Sequence, residues 1–240
     1  MTGLRTLVIT PMEEERAHFA LRCYEQEYRS IEAVAGRLST LEFPELDLIL
    51  ARGGTGKVQF AVQTQHLLES GIEPDLVLCV GAAGSLVDSL DVGDIVVGTT
   101  TVEHDVREGF VDNPLPRFDA EEFIINSLSK VPTDELDFEV HYGVVASGDE
   151  DIVSQERKLN LHQATGAIAV GWEGAGGARA CRFSGVPFVE IRGITDSADE
   201  GAASDFEQNL ALAVGNVALF LIDWLTQSPN IQTEIIESKI

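Results

Sequence analysis

Runs dominated by Val, Ile and Leu recur along the chain, at Thr6 to Thr10, Asp47 to Ala51, Leu76 to Gly81, Asp94 to Thr100, Val140 to Ala146, Ala167 to Gly171 and Pro187 to Arg192. Several are continuous, without the polar alternation of a sheet that has one wet face, and this predicts strands covered on both sides. Between them lie helical patterns over Met12 to Gln26, Lys57 to Ser70, Ala120 to Ser129, Ser154 to Ala164, Glu173 to Phe183 and Asp205 to Trp224. Such alternation predicts an α/β fold, with helices on the faces of a mostly parallel sheet. Two helix starts carry the pattern of a capping box, Thr10-Pro11-Met12-Glu13, with proline at the first helical position, and Ser204-Asp205-Phe206-Glu207. The helices Lys57 to Ser70 and Asp205 to Trp224 carry broad apolar faces that read as core rather than interface. Arg107 to Pro116, with Gly109, Asn113, Pro114 and Pro116, reads as a long loop, and Gln227 to Ile240 as a polar tail. No repeat or linker divides the chain, so residues 1–240 are expected to form a single domain.

Composition narrows the class. A hydrophobic content of 44% belongs to a globular chain rather than a disordered one. No apolar run reads as membrane-spanning, and Leu7, Val8 and Ile9 are stopped at once by Glu13, Glu14 and Glu15, so a cytoplasmic protein without a secretion signal is expected. Cys23, Cys79 and Cys181 are too scattered for a disulfide framework or a zinc spacing. Cys79 and Cys181 lie in apolar surroundings and read as buried thiols. Forty acidic residues against sixteen basic ones give a formal charge of -24, which repels phosphate backbones and anionic lipid, so neither nucleic acid nor membrane is an expected partner. His18, His66, His141 and His162 show no ligand spacing, and no metal or cofactor is expected.

In open α/β sheets, ligands bind beyond the carboxyl ends of strands, so the residues that follow each strand carry the candidate chemistry. Glu13 is accounted for by the capping box and the helix dipole, which leaves Glu15 free for other work. Ala51 to Val58, ARGGTGKV, imitates a phosphate-binding loop but lacks its first glycine and its final hydroxyl residue, leaving a glycine turn whose amides can approach a ligand. Val80 to Leu86, VGAAGSL, is a second glycine-rich turn at a strand end, without the dinucleotide fingerprint. Glu173 and Asp196 stand beside two further strand ends, where a helix cap or an Asx turn is the rival explanation for each. With Glu15 they make three carboxylates on separate elements, which suits cleavage of a glycosidic bond: one carboxyl gives a proton while another takes one from water.

At these residues the sequence resembles a known family. PMEEER (Pro11 to Arg16), GGTGKV (Gly53 to Val58), VGAAGSL with DVGDIVV (Asp91 to Val97), EHD (Glu103 to Asp105), SGDEDIV (Ser147 to Val153), VGWEGAG (Val170 to Gly176) and VPFVEIRGITDSAD (Val186 to Asp199) follow the order seen in methylthioadenosine/S-adenosylhomocysteine nucleosidases. The resemblance covers about residues 5 to 225. It implies a three-layer α/β/α sandwich around a mixed, mostly parallel sheet, assembled as a homodimer. It also implies hydrolysis of a purine ribonucleoside, adenine-type and with a 5′ substituent, to free base and sugar. Asp196 matches the aspartate that protonates N7 of the purine, Glu15 the glutamate that helps activate water, and Glu173 the glutamate that binds the ribose hydroxyls. Arg192 matches the arginine near the nucleophile, and Trp172 takes the place of a methionine against the sugar. Gly81, Ala82, Asp151 and Ile152 match positions that border the nucleoside, and His104 falls in a segment that builds the site or a subunit contact, although a satisfied structural histidine is its plainer reading.

Departures accompany the matches. Ala82 replaces a serine, Asp151 an aromatic or aliphatic residue over the base, and Gly171 an acid two positions before Glu173. Two competing functions follow. A purine nucleoside phosphorylase would bind phosphate through arginines, one of them where this chain has Cys79 and another in the first-strand loop, where it has PMEEER. A nucleoside-binding protein without turnover is the other reading, favoured by Ala82 and Asp151 and opposed by the three carboxylates.

Overall fold

Thr6–Thr10 is buried at every position, as a strand covered on both faces must be, and it sits in the middle of the sheet. The structure, a computed structural model, describes residues 4–107 and 113–227. Gly109 of the expected loop and residues 228–240 of the expected tail lie outside the described residues. In chain order the elements are β1 (Thr6–Thr10), α1 (Glu13–Glu25), β2 (Ile31–Ala35), β3 (Leu38–Phe43), β4 (Leu48–Arg52), α2 (Lys57–Leu68), β5 (Leu76–Ser85), β6 (Ile95–Glu103), β7 (Arg117–Asp119), α3 (Glu122–Leu128), β8 (Val140–Ser147), α4 (Gln155–Thr165), β9 (Ala167–Gly171), α5 (Gly174–Ser184), β10 (Phe188–Asp196) and α6 (Ala202–Gln227).

Side chains alternate across a strand, and β1 uses this to hold two layers apart. Val8 joins Phe19, Phe220 and Trp224 in the core beneath α1 and α6, whereas Leu7 and Ile9 join Phe60, Leu67 and Cys181 beneath α2 and α5. The result is the expected α/β/α layering around a mixed sheet. β1 pairs in parallel with β4 on one side and β5 on the other. Beyond β4, the antiparallel pair β3 and β2 closes that edge. Beyond β5 the sheet turns back on itself: β5 pairs with β10, β10 with β6, β6 with β8, β8 with β9, and β9 again with β5. This ring brings β5, β9 and β10 side by side.

Several expectations are corrected. The hairpin of β2 and β3 gave no clear signal because β2 is an edge strand whose Ile31 and Val34 face solvent. VGAAGSL is no turn: β5 runs on through Ser85, paired with β10 and β9, and small residues are needed there because Arg192 and Asp196 of β10 and Glu15 of α1 press against it. α6 begins at Ala202, three residues before its expected start, so Ser204 lies inside the first turn and its hydroxyl accepts from Gln208 Nε2 (2.7 Å) instead of capping. With 26 residues, α6 is long and apolar enough to cross a membrane by those criteria alone, against the reading that no run reaches that length. Its apolar face is occupied, however: Val214, Val217, Phe220, Leu221 and Trp224 are buried in the core, and the Trp224 indole donates to Ser127 Oγ at 2.9 Å. α2 buries Phe60 and Leu67 but leaves Val58 and Val62 exposed, so only one of its faces is core.

α5 lies against the start of α2 so closely that a Cβ on Gly176 would stand 2.2 Å from the backbone oxygen of Lys57. Backbone cannot yield there without moving a helix. Gly176→Ala is therefore expected to lower unfolding stability by about 1–3 kcal/mol, the usual range for overpacking. A chemical-denaturation midpoint equal to that of the native chain would mean that the two helices have room to spare.

Candidate active site

The first carboxylate is placed by the turn out of β1. Met12 is extended (φ -109°, ψ 160°) and caps α1, and Glu15, third in the helix, reaches back so that Oε2 accepts from the Met12 N–H at 2.8 Å. Glu15, not Glu13, thus closes the capping box, and Pro11 precedes the cap instead of opening the helix. Glu13 pairs with Arg16 on the surface. The second oxygen of Glu15 accepts from the Ala82 N–H of β5 at 2.9 Å, and the side chain is buried. Burial pushes its carboxyl up to about 7, helped by the charge of Glu173, while the two amide bonds and Arg192 pull the other way.

Glu173 stands immediately before α5, where a helix cap was the rival reading, but its side chain makes no capping bond. Instead Oε1 accepts from the Gly56 N–H at 3.1 Å, and Oε2 meets Arg192 Nη2 at 3.4 Å. Its carboxyl is also raised, mainly by burial, with Arg192 opposing. The neighbouring backbone is pinned by Ser147, whose hydroxyl donates to the Trp172 carbonyl (2.7 Å) and accepts from the Ala175 N–H (2.9 Å). Asp196 ends β10. Its Oδ1 accepts from the Ala198 N–H at 2.9 Å, which is the anticipated Asx-turn bond, and Oδ2 accepts from the Thr195 hydroxyl at 2.8 Å. Burial raises its pKa; those two bonds oppose the rise and Asp205 and Asp199 add to it.

All three carboxylates border one cavity of about 450 Å³, within the range of small-molecule sites. Arg192, Trp172, Ala82, Asp151 and Ile152 line it too, with Asp151 exposed at the rim and Ile152 buried. Gly81 does not line it. Its backbone lies behind the site, where a Cβ would stand 2.6 Å from Glu15 Oε1 and 2.9 Å from Arg192 Nη1. The turn that imitates a phosphate loop contributes an amide to Glu173, but its Lys57 points elsewhere, bonding Glu103 Oε1 (2.9 Å) and Asp105. His104 is buried against Gly148 with neither ring nitrogen hydrogen-bonded among the described residues, so it is not the satisfied structural histidine expected. Nδ1 is 3.7 Å from Glu150 Oε2, and burial lowers the ring's pKa. Among the described residues no group of three or more His, Cys, Asp or Glu side chains is arranged to hold a metal ion.

The phosphorylase superfamily is matched over residues 5–225. The chain belongs to that superfamily. It is 33% identical over 229 residues to a 5′-methylthioadenosine/S-adenosylhomocysteine nucleosidase of Shewanella loihica, covering 91% of this chain and 97% of the relative. It is 36% identical over 182 residues to an aminodeoxyfutalosine nucleosidase of Helicobacter pylori, covering 73% and 78%. Among solved structures it resembles a mutant of the Helicobacter pylori methylthioadenosine/S-adenosylhomocysteine nucleosidase with 5′-methylthioadenosine in the active site, with a TM-score of 0.83, 28% identity and coverage of 94% of this chain and all of that one.

In this superfamily member the site also uses residues that sequence reasoning passed over. Thr195 bonds the Asp196 carboxylate and Ser147 pins the backbone on either side of Glu173, and hydroxyls next to a strand end carry no distinguishing signal. Glu190 is different: a charged residue between Val189 and Ile191 in a buried strand is visible in the sequence as a break in an apolar run. Cys79, buried as expected, has Sγ 3.6 Å from Arg192 Nη2, and burial keeps its thiol neutral.

The raised carboxyl of Glu15 has a consequence for stability. A carboxylic acid whose folded pKa exceeds the unfolded one favours the folded state least when ionised, so the penalty is absent below about 4.5 and complete above about 7. Glu15→Gln removes that titration and is expected to gain about 1–3 kcal/mol over the native chain between pH 5 and pH 8, from a shift of this size. Melting curves at both values check it; a difference between the two chains that does not grow with pH would place the titration of Glu15 elsewhere.

Proposed function

We propose that the protein is a purine nucleosidase that hydrolyses the N-glycosidic bond of an adenine-type ribonucleoside, 5′-modified as in methylthioadenosine or S-adenosylhomocysteine. The observation that carries this reading is the charge of the cavity. Among the described residues, six carboxylates line it against a single Arg or Lys side chain, Arg192, and that guanidinium is already bonded to Glu190, Glu173 and the Ala82 carbonyl. A phosphate dianion would find no free cation among the described residues and several anions, whereas neutral water needs no cation. The named relatives, nucleosidases all, support the same choice.

In this reading the bond from C1′ to N9 breaks with its electron pair passing to the base, and Asp196 gives its proton to N7. Glu15 takes a proton from the water that adds to C1′, and Glu173 holds the ribose hydroxyls. A base is most effective when its pKa lies near the working pH, which is where burial puts Glu15. Asp196 is lifted in the direction an acid requires. Trp172 borders the sugar, while Ala82, Asp151 and Ile152 border the rest of the nucleoside. A homodimer in the cytoplasm is proposed with it, supported by the apolar face that α2 leaves open at Val58 and Val62.

Incubation with methylthioadenosine, S-adenosylhomocysteine, adenosine, inosine and futalosine, each with and without phosphate, tests the reading. Free adenine released without phosphate is expected. Base release that requires phosphate, with ribose 1-phosphate as co-product, would make the protein a phosphorylase, and no release with retained binding would make it a nucleoside binder. Asp196→Asn is expected to lower kcat by about 10²- to 10⁴-fold, the usual worth of a general acid, with ligand affinity largely kept. Undiminished turnover in that variant removes Asp196 from the proton transfer.

A further inference from the structure

Arg192 is 1% exposed, and its guanidinium has one charged neighbour that the chemistry above does not use. Nε donates to Glu190 Oε1 at 2.7 Å, a tighter contact than the 3.4 Å to Glu173. Glu190 is itself 1% exposed, does not border the cavity, and has its other oxygen bonded by the Thr101 hydroxyl of β6 at 2.7 Å. Space for the pair is made by two glycines on either side of Glu173. A Cβ at Gly171 would stand 2.9 Å from Arg192 Cζ, and one at Gly174 would stand 1.9 Å from Glu190 Oε2. The segment bearing Glu173 is therefore folded around this ion pair, and the space beside Gly171 is filled by the arginine side chain.

We infer that Glu190 is a positioning residue for hydrolysis: a buried counter-charge that holds the Arg192 guanidinium against Ala82 and Glu173 and keeps it from collapsing onto Glu15. The alternative partners are close. Glu15 and Arg192 flank the same backbone position at Gly81, and Glu173 already touches Nη2. The charged groups facing Glu15 are Arg192 from β10 and Glu173 ahead of α5, with the neutral Cys79 of β5 near them. Without Glu190, the guanidinium keeps its charge and loses its nearest anion, so it must turn to Glu173 and Glu15. An arginine drawn onto Glu15 holds that carboxylate ionised and lowers its affinity for the proton of water. Loss of Glu190 is thus felt at a side chain it does not touch.

This inference rests on the proposed role of Glu15 as base, and its test separates the two. In the full chain labelled with carbon-13 at glutamate carboxyls, the Glu15 resonance is assigned by its loss in Glu15→Gln and followed against pH. Glu190→Gln, with Cβ to Cδ preserved, is expected to lower the Glu15 midpoint by about one pH unit, as a freed neighbouring cation does. With methylthioadenosine, kcat is expected to fall by about 10- to 100-fold with a smaller change in KM, as for an interaction used in the transition state. A midpoint that stays or rises in the folded variant overturns the inference, since a purely structural role would leave it in place. If Glu190→Gln does not fold, Thr101→Val is read the same way, a lowered midpoint supporting the inference and an unmoved one overturning it. A native chain that hydrolyses nothing while the midpoint still falls refutes the proposed function and not the positioning role.

Discussion

A guanidinium withdrawn from water loses several kcal/mol of hydration, and it is tolerated only where carboxylates and carbonyls replace that hydration with correct geometry. Arg192 imposes this requirement on the centre of the molecule. Its partners come from β10 (Glu190), β5 (the Ala82 carbonyl) and the end of β9 (Glu173), so three strands must lie side by side and in register before the charge can be buried. The closed ring of β5, β10, β6, β8 and β9 provides that. An open sheet ending at β5 would leave Arg192 with no wall on the β9 side.

The carboxylates around Arg192 are not ornaments added to a finished scaffold. Glu15 closes the first turn of α1 with one oxygen and ties that helix to β5 with the other, and Glu173 links the start of α5 to the loop before α2. Each bond fixes an oxygen that borders the cavity, so the orientation of the acids is a by-product of how the helices begin. The same burial that raises their pKa values works against folding at neutral pH. The large apolar core beneath α1 and α6, with Phe19, Phe43, Phe220 and Trp224 fully buried, is what offsets it.

Much of this was legible in the sequence, and the failures share a cause. Strands such as Thr6–Thr10 and Ala167–Gly171 were found to the residue because burial on both faces leaves an unbroken apolar run. Glu15, Glu173 and Asp196 stand out because they follow strands on separate elements, where ligands of open α/β sheets bind. What was misread depended on partners distant in the chain. Gly81 to Ser85 looks like a turn until Glu15, Arg192 and Asp196 are known to press on it from other elements. Assigning the capping role to Glu13 needed only a shift of cap from Thr10 to Met12, yet local pattern could not choose between them, because both acids sit at plausible spacings. β2, with Ile31 and Val34 facing solvent, packs so little apolar surface that periodicity has nothing to register there.

The overall charge of the chain points the same way as the cavity but for a weaker reason. Charges spread over the surface act through water and salt, where interactions fade beyond about 8–10 Å, so a formal -24 does little to decide what binds at the buried carboxylates. More weight falls on Arg192, which among the described residues is the one Arg or Lys side chain that lines the cavity. A guanidinium with Nε on Glu190, Nη1 on a carbonyl and Nη2 on Glu173 already has each of its nitrogens engaged, two of them by carboxylates that offset its charge. Releasing it for phosphate would mean breaking buried charge-assisted bonds and leaving Glu190 unpaired. Water needs no such release, and in the proposed mechanism Glu15, close to its own titration point at neutral pH, receives the proton that water loses.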